Sequence, residues 1–277
     1  MANIKWEPKR KNERYYQRQL QWLFNQAISA AIGRNFDTDF IENVISIVNS
    51  DTFSNFTNKF VDRMLNSTNR DVYKTWRDAV LGNTKGRLLY AARQKEKEIE
   101  ESVYQYLKQL NDENVFYIKS QPIDIAQRIV ELANQYTQEG KRPEEIRSIL
   151  QKLYPNMTKV KSTLIARTEA SKAANNLVQV RAQNMGLKAY IWKTAKDQRV
   201  RDSHKHMDNV IVNFNNPPSP EKLIGKKSQG EYNAGNFPNC RCYSSIIVNL
   251  DLIKFPHKVY YNGSIVNMTR SQFERIM

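Results

Sequence analysis

The chain has 277 residues and a formal net charge of +15, with two cysteines and three histidines. This length allows a well-buried core and suggests about two domains of ~100–200 residues, while the charge points to a polyanionic partner or, more plainly, to solubility. Met1 to Arg18 is polar and charged, and no stretch approaches the ~18 apolar residues needed to span a bilayer, so a soluble protein made in the cytoplasm is expected.

In chain order, the first half reads as successive helices. Tyr16, Leu20, Leu23, Phe24, Ala27, Ile28 and Ala31 step by three and four, with Gly33 placed to end the helix. Asp37 is a fitting N-cap for a helix using Phe40, Ile41, Val44, Ile45 and Val48, and Phe53, Phe56, Phe60 and Met64 form a third stripe. After Gly82 and Gly86, the residues Leu88 to Leu110 read as one long helix. Val115 to Ile118 reads as a strand or extended link, and Pro122 then opens a helix that stops around Gly140. Pro143, Glu144 and Glu145 start the next, expected to end before Pro155, with a domain boundary near Tyr154 to Thr158.

Beyond that boundary the pattern changes. Ala166, Ala170, Ala173, Leu177 and Val180 form a small-residue helical stripe closed by Gly186. Leu187 to Trp192, Val210 to Val212 and Cys242 to Val248 read as strands, separated by a long Asn213 to Gly235 loop rich in Pro and Gly. Tyr260-Tyr-Asn-Gly-Ser-Ile265 signals a hairpin, because Asn-Gly suits the positive φ angles of a type I′ turn. The expected fold is therefore α+β and predominantly helical. It comprises a helical region over 1–157, a small α+β module over 158–250, and a hairpin with a short helix over 251–277.

Charge and chemistry concentrate in the module. Between Lys159 and Asp208 there are eleven Lys/Arg against four acids, giving +7 of the +15. Lys196, Arg199, Arg201 and Lys205 are candidates for sequence-independent phosphate contact. At the N-terminus Lys9, Arg10, Lys11 and Arg14, interleaved with Trp6, Tyr15 and Tyr16, suit either DNA backbone contact with ring stacking or an exposed helix start whose aromatics pack inward. Asp197 and Ser203 offer caps for a helix starting near Arg199, and Arg199 and Arg201 offer partners for Glu169 or Asp208.

The ordered series Ala166-Arg-Thr-Glu169, Asn175, Arg181-Ala182, Gly186-Leu187, Trp192-Lys-Thr194, Asp197 to His204, Met207-Asp208, a Pro-rich loop and Pro238-Asn-Cys-Arg-Cys242 resembles the Mu F-like minor head proteins of tailed phages. The resemblance is collinear over roughly 158–248. It implies a low-copy protein of the procapsid that binds the portal beside capsid and scaffold proteins. Such a protein can contact double-stranded DNA and in some members leaves with the genome on ejection. The implied location is the virion head near the portal, after assembly in the host cytoplasm, without a membrane partner. The motif positions it marks as structural are Arg167, Glu169, Trp192, Asp197, Arg199, His204, Asn239, Cys240 and Cys242.

Cys240 and Cys242 are too close in sequence for a stapling disulfide, which gains most by closing a long loop. With His204, and His206 or Asp197 as a fourth donor, they form a set that zinc favours. Against this, Cys-x-Cys lacks the usual knuckle spacing, and Asn233-Ala234 stands where relatives often have His-Pro. The alternative is two small buried cysteines with His204 hydrogen-bonding the loop, and no cofactor. No catalytic residue is expected. Ser203 beside His204 is not a triad, and Gly82-x-x-x-Gly86 lacks the Lys-Ser/Thr of a phosphate loop. The rivals to a head protein that docks on the portal and DNA are a metal-dependent nuclease built from Asp197, Asp202, His204 and His206, and a purely structural capsid component that ignores DNA.

Overall fold

The structure, a computed structural model, describes residues 6–32, 36–82 and 87–276, with only the backbone of 87–89. Gly33 and Gly86, expected at helix ends, lie outside the described residues. The elements run α1 Arg10–Ala31, α2 Thr38–Asn49, α3 Asp51–Leu81, α4 Arg87–Gln94, α5 Glu96–Gln138, α6 Pro143–Asn184, β1 Ala189–Lys193, α7 Asp202–His206, β2 Ile211–Asn213, β3 Tyr243–Ile246, β4 His257–Tyr261, β5 Ser264–Met268 and α8 Arg270–Ile276. The molecule is thus predominantly helical α+β, as its periodicities imply. No helix among the described residues is long and apolar enough to cross a membrane.

Two compact units divide the described residues: those within 10–66 and 108–169, and those within 6–9, 67–107 and 170–276. The first is all helical. Its buried faces are those the spacing selects: Tyr16, Leu20, Phe24 and Ile28 on α1, Phe40, Val44 and Val48 on α2, Phe60, Val61 and Met64 on α3. Asp37 caps α2 by accepting a hydrogen bond from Phe40 N at 3.3 Å. Buried side-chain bonds tie distant helices together: Tyr16 Oη donates to Asn114 Oδ1 at 2.7 Å, and Thr158 Oγ1 to Asn25 Oδ1 at 2.6 Å.

Three expectations need correction. Val115 to Ile118 is neither strand nor link, and Pro122 opens nothing, because α5 runs unbroken from Glu96 to Gln138 with Pro122 inside it. Likewise α6 continues through Pro155, so the boundary expected near Tyr154 to Thr158 falls within a helix. An interior proline costs about 3 kcal/mol. Here the flanking positions bury Ile118, Ile125 and Ile129 on α5 and Leu150 and Ile165 on α6, each at 4% exposure or less, and burial of that size outweighs it. Finally, the helix expected over Leu88 to Leu110 is two, α4 and α5, meeting at Lys95.

In the second unit a five-stranded mixed sheet has the order β3-β1-β2-β4-β5. The pairs β1 with β2, β1 with β3 and β4 with β5 are antiparallel, while β2 meets β4 in parallel at Ile211 and Val259. The C-terminal hairpin therefore extends the sheet. Its turn has Asn262 at φ 48° and Gly263 at φ 80°, as the Asn-Gly pair predicts. Gly186, at φ 76°, ends α6 as anticipated, with Leu187 N donating back to Ala182 O at 2.9 Å. Leu177 of the expected α6 stripe, with Ala174, Val178 and Ala182, lies in one core with Trp76, Ile99, Tyr190, Trp192, Phe214, Cys240 and Cys242.

Candidate functional site

The sequence separates His204 from Cys240 by a long loop, yet the fold brings them together. Short helix α7 buries Ser203 and His204 on one side and leaves Lys205 and His206 exposed on the other. The cysteines are delivered by a turn, in which Cys240 N donates to Phe237 O at 3.0 Å across Pro238 and Asn239. Proline at the second position and Asn239 at φ 59° at the third is the residue choice of a type II turn. This gives the Pro-Asn-Cys sequence a physical reason.

His204, Cys240 and Cys242 are each 2% exposed or less. His204 Nδ1 lies 3.4 Å from Cys240 Sγ and 3.5 Å from Cys242 Sγ, and Cys242 N donates to Cys240 Sγ at 3.3 Å. On the other edge of the ring, His204 Nε2 is 3.0 Å from Tyr232 Oη, which donates to Glu221 Oε1 at 2.7 Å. Ser203 Oγ donates to the same carboxyl oxygen at 3.1 Å. Trp192, Tyr232 and Phe237 enclose the imidazole, with ring centroids 5.7, 5.8 and 6.0 Å away. The hydrogen bond from Cys242, followed by His204, lowers the Cys240 thiol, whereas proximity to Cys240 and burial raise that of Cys242. Burial and the bond to Glu221 raise the Tyr232 phenol.

Sequence reasoning gathered the three sulfur and imidazole donors but missed Tyr232 and Glu221, which sit in the long loop. The length of that loop was the only signal of packing inside it. Neither suggested fourth donor joins: His206 is exposed, and Asp197 accepts two hydrogen bonds from Arg241, one of 2.6 Å from Nη2 to Oδ1. Asn233 is also committed elsewhere, accepting from Tyr190 Oη at 3.1 Å and donating to Phe214 O at 3.1 Å.

The ion pairs differ from those expected. Asp197 pairs with Arg241, its carboxyl held below the ordinary aspartate value chiefly by that hydrogen bond. Arg201 instead donates to Pro238 O at 3.1 Å and lies 4.7 Å over the Phe237 ring, while Asp208 accepts from Thr194 N and Oγ1. Asp197 accepts from Arg199 N, making a local turn, and the helix begins later, at Asp202. Arg167 Nε donates to Glu13 Oε1 at 3.3 Å. Lys196, Arg199, Arg201 and Lys205 are all exposed, as are Lys9, Arg10, Lys11 and Arg14. Trp6 and Tyr16 are buried, which leaves their rings to the core and not to nucleobases. The residues a metal nuclease would need are dispersed: Asp197 on Arg241, Asp202 on Lys205, His204 in the core and His206 at the surface.

Residues 127–245, which include every element of this site, match the family described as phage Mu protein F-like protein. This segment is similar to the Mu F-like family. An uncharacterized protein of Haemophilus influenzae is 30% identical over 115 residues, covering 42% of this chain and 22% of that protein. The chain therefore spans less than a quarter of the length of this curated relative. No solved structure matches the chain.

Proposed function

We propose that the protein is a phage minor head protein that associates with the portal, beside capsid and scaffold proteins, and contacts double-stranded DNA during packaging or ejection, without catalysis. The observation that carries this reading is the Mu F-like match over 127–245. The exposed cations Lys196, Arg199, Arg201 and Lys205 support its DNA component, since they lie within ten residues of chain and present point charges suited to phosphates. Its place is the virion head, near the portal. A purely structural capsid role draws support from two of those cations already being engaged within the chain, Arg201 on Pro238 O and Lys205 on Asp202.

Co-sedimentation with a phage portal protein, and separately with duplex DNA, tests both readings. Each lost phosphate contact lowers the slope of log affinity against log salt by roughly 0.9, so replacing the four cations by alanine should flatten it by roughly 3 to 4 between about 50 and 200 mM salt. Portal binding with an unchanged salt response would favour the structural reading. Absence of portal and DNA binding alike would defeat the proposal.

A further inference from the structure

We infer that His204, Cys240 and Cys242 hold one zinc ion, through Nδ1 and the two sulfurs. The inference is independent of the head-protein reading, since it rests on distances within one buried cluster. Zinc takes sulfur at about 2.3 Å and imidazole nitrogen at about 2.0–2.1 Å, so the tetrahedral angle sets sulfur and nitrogen about 3.6 Å apart. The two observed separations, 3.4 and 3.5 Å, both match that edge. A thiol that merely hydrogen-bonds to imidazole needs one such contact, whereas here a single nitrogen faces both sulfurs.

The second argument comes from the far side of the ring. Tyr232 has one hydroxyl proton and donates it to Glu221, so its oxygen receives the proton of His204 Nε2. That fixes the tautomer with the Nδ1 lone pair directed at the sulfurs, where a metal would sit. Zinc-bound histidines characteristically pass their second N–H to such an acceptor, which orients the ring and raises its basicity. Glu221 is 4% exposed and its Oε2 has no hydrogen-bond partner, so the relay ends in a buried acceptor suited to a positively polarised imidazole.

The donor set decides the metal. Two sulfurs and an imidazole select zinc over magnesium, calcium or manganese, which prefer oxygen. Among the described residues these three are the His, Cys, Asp or Glu side chains close enough to share an ion. The fourth tetrahedral position therefore goes to water or another small ligand, inside a wall of Trp192, Tyr232 and Phe237. The ion would link α7 to the Asn-Cys-Arg-Cys turn across 36 residues of chain.

The test is elemental analysis of the full chain after expression with zinc and exhaustive dialysis, with cobalt substitution alongside. About one zinc per chain is expected for the unaltered protein and for His206→Ala, and less than about 0.1 for Cys240→Ser, Cys242→Ser and His204→Ala. Tyr232→Phe should keep the ion but hold it about 10–100-fold less tightly in competition with a chromophoric chelator. Zinc absent from the unaltered protein overturns the inference, as does zinc that survives all three ligand substitutions. Because those variants can misfold, the cobalt spectrum of the unaltered chain decides separately: a thiolate-to-cobalt charge-transfer band supports the site, and its absence sinks it.

Discussion

In the helical unit, Tyr16, Leu20, Phe24 and Ile28 reach the core through steps of four along one helix, and neighbouring helices bury faces of similar spacing. In the sheet-bearing unit, Asn175 on α6 bonds to Ser244 N across 69 residues, Arg241 reaches back 44 to Asp197, and His204 meets cysteines 36 and 38 residues away. The first unit is stabilised chiefly by apolar faces specified locally, with a few long-range polar bonds such as Tyr16 to Asn114. The second relies more on single polar and steric fittings between residues far apart in the chain. The contrast teaches where the molecule tolerates change, and it can be broken experimentally.

The largest effect should come from Gly235→Ala. A Cβ there would stand 2.0 Å from Asn175 Nδ2 and 2.9 Å from Cys242 O, on a backbone with φ +84°. A loss of about 4 kcal/mol is expected in chemical denaturation of the full chain, whereas Gly230→Ala, also at positive φ but with no atom within 4 Å, should cost about 1 kcal/mol. Equal losses would show that backbone conformation, and not the Asn175 contact, fixes this glycine.

Asn175→Ala comes next. It removes the acceptor of Ser244 N, 2.9 Å away, and a donor to Cys242 O, so about 2–3 kcal/mol should be lost. The sharper reading is the double variant. Removing Asn175 relieves part of the clash at Gly235, so the two losses should sum to more than the double variant loses. In the helical unit, by contrast, the volume-conserving Leu20→Met should cost less than about 1.5 kcal/mol. Tyr16→Phe, which strands the buried Asn114 Oδ1, should cost about 1–2 kcal/mol.

The same contrast explains what was legible in the sequence. Helix faces, the Asp37 cap, the stops at Gly140 and Gly186 and the Asn-Gly hairpin are all written within a few residues, and so could be read. Pro122 and Pro155 misled because a local rule about proline was outweighed by burial that the sequence around each does not display. Arg241 as the partner of Asp197, and Tyr232 and Glu221 behind His204, have no period or spacing that announces them. Only the fold sets them side by side. The three donors were nameable because cysteine and histidine are scarce here, but their convergence on one nitrogen was not.

The smallest expected effect concerns the Asp197 to Arg241 bond, and it tests whether a fitting at the surface matters as those in the core do. The guanidinium holds the Asp197 carboxyl below its ordinary value, so the folded state binds that proton less readily than the unfolded chain. Stability from the pair is therefore fully present above the ordinary aspartate value of about 4, and is lost as pH falls through the lower value of the folded state. Asp197→Asn should be less stable than the unaltered protein near neutrality, with the gap closing as pH drops below about 4. Thermal unfolding across that range measures it. A gap independent of pH would mean that Asp197 acts through its turn with Arg199 N, which asparagine preserves only in part, and not through its charge. Because both partners are partly open to solvent, the pair should matter less than Asn175, and a larger effect would show that the Asn-Cys-Arg-Cys turn depends on this bond to present Cys240 and Cys242 to His204.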